Sequence, residues 1–344
     1  MKLARRTALT LAAVVAAPAL AACSTGSTAE TASDPQATTS AEADAFPVTI
    51  EHAFGETTIE EEPTRVATLG WTDQDNALAL GVVPVGATKL TWGGNEAGSS
   101  DWFDAALEEA GGEQPVRYDY ADGAPVEEVA KLTPDLILAT NSGITEKEYD
   151  KLSKIAPVVA YPEAPWVTPW QESLAMAGEA LGRSDLAADV TADTEAEIEE
   201  AKEANPELQG TSVVFAYLTA TDLSTIGIYG RQDPRVALLE DFGMQSPPIV
   251  DKSVKDGQFY GTVSAERAAS VKSDVLLTYT ESEKDMATFA EDELVGQIPA
   301  IESGNAYGES DKHVGLSITN PSPLSIPFIV DNFLPHVVEA SPAS

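Results

Sequence analysis

The chain has 344 residues, with 20 Lys and Arg against 56 Asp and Glu, and a formal net charge of -36. So acidic a chain has no basic face to displace counterions from phosphates, which excludes nucleic acid as a partner. One cysteine excludes a disulfide scaffold, three histidines nearly exclude a histidine-rich metal site, and 43% hydrophobic residues describe a globular protein of one large or two ordinary domains.

Residues 1–22 read as a secretory signal, with Lys2, Arg5 and Arg6 as the basic region and Leu9 to Leu20 as an apolar run too short to span a bilayer. The run ends in Leu20-Ala21-Ala22-Cys23, which resembles the lipobox of bacterial lipoproteins. That resemblance implies lipidation of Cys23 and an anchor of several acyl chains, which holds better than one. The plain alternative is a free cysteine beside an ordinary cleavage site. Arg5-Arg6 leaves export by the general or the twin-arginine route open. Cleavage removes three basic residues and no acid, so the rest of the chain is three charges more negative. Residues 23–45 carry no aromatic and no large aliphatic side chain, cannot offset their chain entropy by burial, and are expected to be a disordered tether.

Residues 46–168 are expected to form an N-terminal lobe. Val48 to Ile50 and Thr57 to Ile59 alternate like a hairpin around Gly55. Strands are expected at Arg65–Leu69, Pro84–Ala87, Asp135–Ala139 and Val158–Ala160. Helices are expected at Asp73–Leu80, Trp102–Ala110, Val126–Leu132 and Thr145–Ser153, the last opened by a capping box of Thr145 and Glu148. Strands alternating with helices argue for a parallel sheet flanked by helices.

Residues 169–208 form a helical region, Trp170 to Leu181 and, after Gly182 with Ser184 as an N-cap, Asp185 to about Ala204. Together they make a stretch long enough to join two lobes as a stiff, acidic rod. Residues 209–344 restart the alternation as a C-terminal lobe. Strands are expected at Ser212–Tyr217, Leu223–Ile228 and Asp274–Thr278. Helices are expected at Pro234–Phe242, Val263–Ser270, Lys284–Ala290 and Leu324–Val338. The run Val126 to Leu138 has a weak echo in Val263 to Leu277: a glutamate-started short helix, a turn with Asp, then an apolar strand. The fold class is therefore α/β, two lobes with mainly parallel sheets.

Five segments, in this order and after a lipobox, carry a family resemblance: Arg65 to Gly70, Leu78 to Gly86, Leu132 to Leu138, Leu152 to Val159 and Val263 to Glu266. With them the chain resembles the periplasmic-binding-protein-like lipoproteins of iron–siderophore ABC importers, a family that includes vitamin B12 and haem binders. The resemblance implies two α/β lobes on one long rigid helix, a ligand cleft between them and a monomer outside the membrane. It also implies that a ferric siderophore is captured and passed to a permease dimer, without covalent chemistry. Iron would be held by the siderophore, so no cofactor and no protein metal site is expected. One stiff helix is a poor hinge, so closure would be slight.

Such a cleft needs flat aromatic walls and a few cations at strand ends and loops. The candidates are Trp71, Trp92, Trp166, Tyr229, Tyr260 and Tyr279, against the ordinary alternative of packing, which Trp102 and Trp170 fit better. Among the scarce cations, Arg231 beside Gly230 is the first choice and Arg117 the second, since guanidinium forks match anionic oxygens; Arg235 is expected to pair within its helix. Asn141 at a strand end could donate a hydrogen bond. The resemblance further implies that Glu127 and Glu266, one per lobe, dock onto permease arginines, with Glu128 an alternative; a glutamate at a helix start is otherwise explained by the helix dipole.

Enzyme readings fail on motifs: there is no G-x-S-x-G elbow and no H-E-x-x-H, and Gly93 to Gly98 lacks the Lys-Ser/Thr of a phosphate loop. His52 near the tether, His313 in a late loop and His336 in the last helix are too scattered for a triad or a metal cluster. Haem or a corrinoid is the rival ligand, with Tyr229, Tyr260 or Tyr279 as possible haem ligands. A non-transport surface protein is the rival class.

Overall fold

The computed structural model describes residues 40–342. The expected signal, Cys23 and the tether up to residue 39 lie outside the described residues. The end of the expected tether is ordered: the Ala41 N–H donates to Glu62 (3.0 Å) and the Glu42 N–H to the Gly182 carbonyl (2.7 Å).

The first elements are an antiparallel hairpin, β1 (Val48–His52) and β2 (Gly55–Ile59), in register from Val48↔Ile59 to His52↔Gly55. Alternation turns Ile50 and Ile59 inward, while Thr49 and Thr58 hydrogen-bond on the open face at 2.9 Å. Next come β3 (Val66–Thr68), α1 (Asp73–Ala79), β4 (Gly86–Thr88), α2 (Asp101–Glu109), β5 (Val116–Tyr118), α3 (Val126–Lys131), β6 (Leu136–Ala139), α4 (Glu146–Leu152) and β7 (Val158–Ala160). Their strands form a wholly parallel sheet in the order β5-β4-β3-β6-β7. Edge strand β5 escapes sequence reading because a charge, Arg117, sits at its centre. The expected capping box is present, with Thr145 and Glu148 each bonding the other's backbone.

α5 (Trp170–Leu181) and α6 (Ser184–Ala204) correct the expected rod. Gly182 takes the left-handed conformation (φ 64°) and ends α5, so one continuous helix of both segments is impossible. α6 packs back on α5, with Gly178 against Ala187. Ser184 is not the cap but the first helical residue, and the cap position is Arg183, whose side chain makes no capping bond. The remote Glu42 carboxylate accepts the Asp185 N–H instead (2.7 Å), an anion at a helix N-terminus. α6 has 21 residues, a length of roughly 30 Å. α5 packs on α1, β1 and β7; α6 packs on later helices.

The remaining elements are β8 (Val213–Thr219), β9 (Asp222–Tyr229), α7 (Pro234–Asp241), α8 (Pro248–Ser253), β10 (Tyr260–Ser264), β11 (Val275–Tyr279), α9 (Asp285–Glu291), α10 (Pro299–Glu302), β12 (Ala306–Glu309), α11 (Lys312–Thr319), α12 (Ile326–Asn332) and α13 (Leu334–Ala340). The second sheet runs β10-β9-β8-β11-β12 and is mixed: β8, β11 and β12 are parallel, β9 and β10 antiparallel. This departs from pure alternation because β8 and β9 are joined by a tight hairpin at Thr219↔Asp222. Val263 and Ser264, expected in a helix, finish β10, and only Ala265–Ser270 turn, as a 3₁₀ segment. His313 lies in α11, not a loop, and the terminal helix breaks at Phe333 into α12 and α13.

The echo between the halves has a physical basis. Asp135 accepts the Thr64 and Arg65 N–H groups (2.9 and 2.8 Å) just before β3, and Asp274 accepts the Ser212 N–H (2.8 Å) just before β8. Each aspartate clamps the entry of the strand beside its own.

Period-2 alternation splits every central strand between two cores. Val66, Leu136, Leu138, Val213, Phe215, Val275 and Leu277 share one continuous core with α5, α6, α7 and α12. Ala67, Ile137 and Ala139 face a separate core outside the first sheet, and Val214, Ala216 and Leu276 one outside the second.

Helix α1 is an exception to apolar burial, since Asp73, Gln74, Asp75 and Asn76 are all buried. Thr140 donates to Asp73, and Asn76 donates to Ser173 (2.8 Å). Asp75 accepts from the Ser322 hydroxyl (2.6 Å) and the Trp102 indole (2.9 Å), tying α1 to α2 and to the segment before α12. Burial pushes the Asp75 carboxyl from its ordinary 3.8 up to about 6, against those hydrogen bonds. The folded chain therefore holds this proton more tightly than the unfolded chain, and the group's contribution to stability falls as pH rises from about 4 to about 6. Urea unfolding of Asp75→Asn should show this: from pH 4 to pH 7 its stability should move by about 2 kcal/mol in its favour relative to the parent. A difference that stays constant with pH would refute the assignment.

Candidate functional site

A hollow of about 440 Å³ opens where strands of both sheets end. Trp71 follows β3 and Trp92 lies on the loop after β4. Facing them are Tyr217 and the β8–β9 turn, Tyr229 at the end of β9, Arg235 in the first turn of α7, and Tyr279 at the end of β11. Thr319 of α11, Thr280, Glu281 and Asp285 complete the wall. Strand ends are the natural place for a ligand in α/β sheets, because the loops there are free to vary over a rigid base.

Arg235 is the electrostatic centre of this hollow. It is 8% exposed, and its Nε donates to Asp233 at 2.6 Å. Its guanidinium carbon lies 3.8 Å from the centroid of the Tyr229 ring, a cation–π stack, and Nη1 reaches the Tyr279 hydroxyl at 3.4 Å. Burial pushes the Asp233 carboxyl up, and the charge and hydrogen bonds of Arg235 pull it back down. Burial also works against the Arg235 charge, but Asp233 more than offsets it and the pKa is raised. The guanidinium is thus a fixed hydrogen-bond donor whose charge is already compensated.

Trp92 reaches across to the second sheet. Its ring meets Tyr279 edge-on with centroids 5.3 Å apart, and it passes so close to α11 that a Cβ on Gly315 would sit 3.0 Å from the indole. The next residue, Gly93, has φ +71° and runs against the first turn of α11; its carbonyl faces His313 Nδ1 at 2.9 Å.

A second hollow, also about 440 Å³, shares Trp71 with the first. Trp166, Tyr120, Thr91, Lys89, Asp119 and Glu148 line it. Trp166 holds a left-handed backbone (φ 66°), unusual for a bulky residue, with its indole packed over Gly143.

The structure therefore gathers Trp71, Trp92, Tyr229 and Tyr279 around one hollow and adds Trp166 next door. Tyr260 stands behind Tyr229 in a T-shaped contact at 5.4 Å and does not line the hollow. Arg231 is held by Glu240 (2.5 Å), Asp251 (2.9 Å) and the Ser246 carbonyl (2.6 Å), and it lines neither hollow. Arg117 is likewise engaged by Gln74 and Ser99, lies over the Phe103 ring, and lines neither. Asn141 is buried and donates to Asn320 (3.2 Å), a bond between the two halves rather than a free donor. Sequence reasoning passed over Arg235, placing it in a helix pair; it does pair, with Asp233, but faces the hollow. It also passed over Tyr217, whose signal is an exposed aromatic interrupting the otherwise buried Val213–Leu218 run.

Glu127 and Glu266 are exposed in the first turns of α3 and of the 3₁₀ segment, and neither has an ion-pair partner among the described residues. They stand at matching places, each ahead of its clamp aspartate, Asp135 or Asp274. Among the described residues no group of three or more His, Cys, Asp or Glu could hold a metal ion, and no helix is long and apolar enough to cross a membrane.

Comparison with known proteins follows the fold. A family model described as "Periplasmic binding protein" matches residues 66–310. The "Probable siderophore-binding lipoprotein YfiY" of Bacillus subtilis is 28% identical over 275 residues, 76% of this chain and 80% of that one. The crystal structure of Streptococcus pneumoniae PiaA in complex with ferrichrome is 36% identical with a TM-score of 0.81, covering 85% of this chain and 98% of that one. A periplasmic solute binding protein from Mycobacterium smegmatis is 30% identical with a TM-score of 0.71, over 85% and 98% of the two chains.

The buried pair at the centre of the hollow has a measurable signature. Arg235→Met leaves Asp233 buried without its cation and should cost about 3–5 kcal/mol of stability in urea unfolding. Adding Asp233→Asn should return much of that loss. Equal, additive losses in the double variant would mean the pair is not coupled.

Proposed function

The chain belongs to the periplasmic binding protein family, and on that premise we propose that it captures a ferric siderophore outside the cytoplasmic membrane and delivers it to an ABC importer permease. Family membership makes it a binding protein and not an enzyme. One observation carries the ligand: Trp71, Trp92, Tyr217, Tyr229 and Tyr279 wall a hollow of about 440 Å³ around a single ion-paired guanidinium. That is a surface for a large, flat-sided, partly apolar complex with a few polar oxygens. The names of the relatives, a siderophore-binding lipoprotein and a protein solved with ferrichrome, support the same reading.

The iron enters as cargo, wrapped by the siderophore. The aromatic walls take up the apolar rim of the complex, and Arg235 donates to its chelating oxygens without moving, because Asp233 and Tyr229 already hold it. We further propose that Cys23 carries the lipid anchor, that residues 46–168 and 209–344 act as two lobes on the α5–α6 pair, and that a monomer docks through Glu127 and Glu266. Exposed, unpaired carboxylates at matching places suit recognition by a basic patch on each half of a permease, where charge pairing sets rate and register more than affinity.

Tryptophan emission of the purified protein is the direct test. Ferric siderophores at micromolar concentration should quench it, and Trp71→Phe with Trp92→Phe should remove most of the quench. Quenching by haem or cobalamin alone would replace the ligand. In cells, Glu127→Ala with Glu266→Ala should keep ligand affinity within about twofold and abolish uptake, while Cys23→Ala should release the folded part from the membrane fraction. Loss of binding in the glutamate variant, or a membrane-bound Cys23 variant, would count against these roles.

A further inference from the structure

The charges around the two hollows carry the ligand assignment further, on the reading that they hold a ferric siderophore. Arg235, the cation in the wall of the first hollow, and Lys312 beside it each come with a carboxylate. Arg235 is paired to Asp233 at 2.6 Å, and Lys312, beside the wall, is paired to Glu281 at 2.7 Å. Asp285 also lines this hollow; it accepts the Glu281 N–H (2.8 Å) and the Ser282 hydroxyl (2.9 Å) and has no cation. In the second hollow Lys89 is exposed and has no ion-pair partner among the described residues, but Asp119 and Glu148 line the same space. Glu148 is drawn on by Lys151 in its own helix, so among the lining residues the uncompensated charges are one ammonium, Lys89, against two carboxylates, Asp119 and Asp285, within a chain of net charge -36.

We infer that the cleft selects ferric complexes of zero or positive charge and rejects trianions. Siderophore chemistry divides along this line. Three bidentate hydroxamates each bring one negative charge, so their Fe(III) complex is uncharged, or cationic if a free amine hangs from it. Three catecholates each bring two, so their complex is a trianion. A trianion would face two uncompensated carboxylates with one free ammonium and no uncompensated arginine, where low-dielectric walls strengthen like-charge repulsion. An uncharged trishydroxamate loses nothing in this field. Its chelating oxygens still accept from Arg235, and its apolar rim meets the five aromatic rings. Trp71, which borders both hollows, brings the complex within reach of the acidic side of each.

The test is a fluorescence-quenching titration of the intact protein with ferrichrome (uncharged), ferrioxamine B (one positive charge) and ferric enterobactin (a trianion), at low and high salt. The first two should bind; ferrichrome's affinity should change by less than about twofold with salt, and that of ferrioxamine B should weaken several-fold as salt screens its attraction. Ferric enterobactin should bind about 100-fold more weakly at low salt and improve as salt screens the repulsion. In Asp119→Lys, with folding checked by thermal melting, the affinity ratio of ferric enterobactin to ferrichrome should rise about tenfold at low salt. Ferric enterobactin binding as tightly as ferrichrome, or weakening with salt, would overturn the inference. So would weak binding that ignores both salt and Asp119→Lys, since exclusion would then be steric. Absence of binding by every ferric complex would instead overturn the siderophore reading on which this one stands.

Discussion

Both sheets press one face into the same apolar core, and that sharing constrains everything else. Val66 and Leu138 of the first sheet and Phe215 and Leu277 of the second belong to one cluster, continuous through Leu174, Leu181, Ile198, Phe242 and Phe333. Interiors packed to this density transmit displacement rather than absorb it. The two sheets are therefore tied on one side by a common interior, while their strand ends stay separate on the other, and the hollows form there. The break at Gly182 belongs to the same arrangement: a straight rod would touch each sheet at one end, whereas the folded-back pair α5–α6 lets one helix cover the first sheet's flank and the other the later helices.

The site inherits its rigidity from this base. Tyr279 ends a strand whose preceding residues are buried on both faces, and Tyr229 ends β9 with Tyr260 edge-on behind it. Arg235 is fixed by an ion pair on one side and a ring on another, so the donor is in place before any ligand arrives, and little rotamer entropy remains to be lost on binding. Contact between the halves on the cleft side is polar or aromatic: Asn141 to Asn320, Trp92 on Tyr279, Trp102 on His313, Asp75 to Ser322. Such contacts have directional geometry and can be remade after a small shift, unlike an interlocked apolar interior.

What was legible in the sequence follows the same division. Strands buried on both faces announced themselves as short apolar runs, and the capping box and Pro-started α7 were read from local chemistry. Three edge strands were not: β5 with Arg117, β10 with its glycine and β12 have polar or small residues because one side of an edge needs no apolar cover, whereas the edge strand β7 is buried throughout and was read. The loop aromatics were legible as a class, since a large ring beside a strand end has few reasons to be there. Choosing among the arginines was not, because a partner's distance is a tertiary quantity. Arg231 has open neighbours in sequence yet meets Glu240 and Asp251 in space, while Arg235, inside a helix, faces the hollow. Helix α1 was read at Asp73–Leu80, but not its burial, because Asp73, Gln74, Asp75 and Asn76 look like a solvated face until their partners Thr140, Ser173 and Ser322 are brought up to them.

Asp135 and Asp274 clamp equivalent strand entries in the two halves, the same local device used twice. The halves depart from each other at β8, β9 and β10, where an antiparallel hairpin replaces the helical crossover. That hairpin carries Tyr217 and Tyr229, the second half's largest share of the ligand wall. The clamped strands hold the frame constant, and the hairpin is where side chains on the ligand wall can change without disturbing the strands that keep the two halves together.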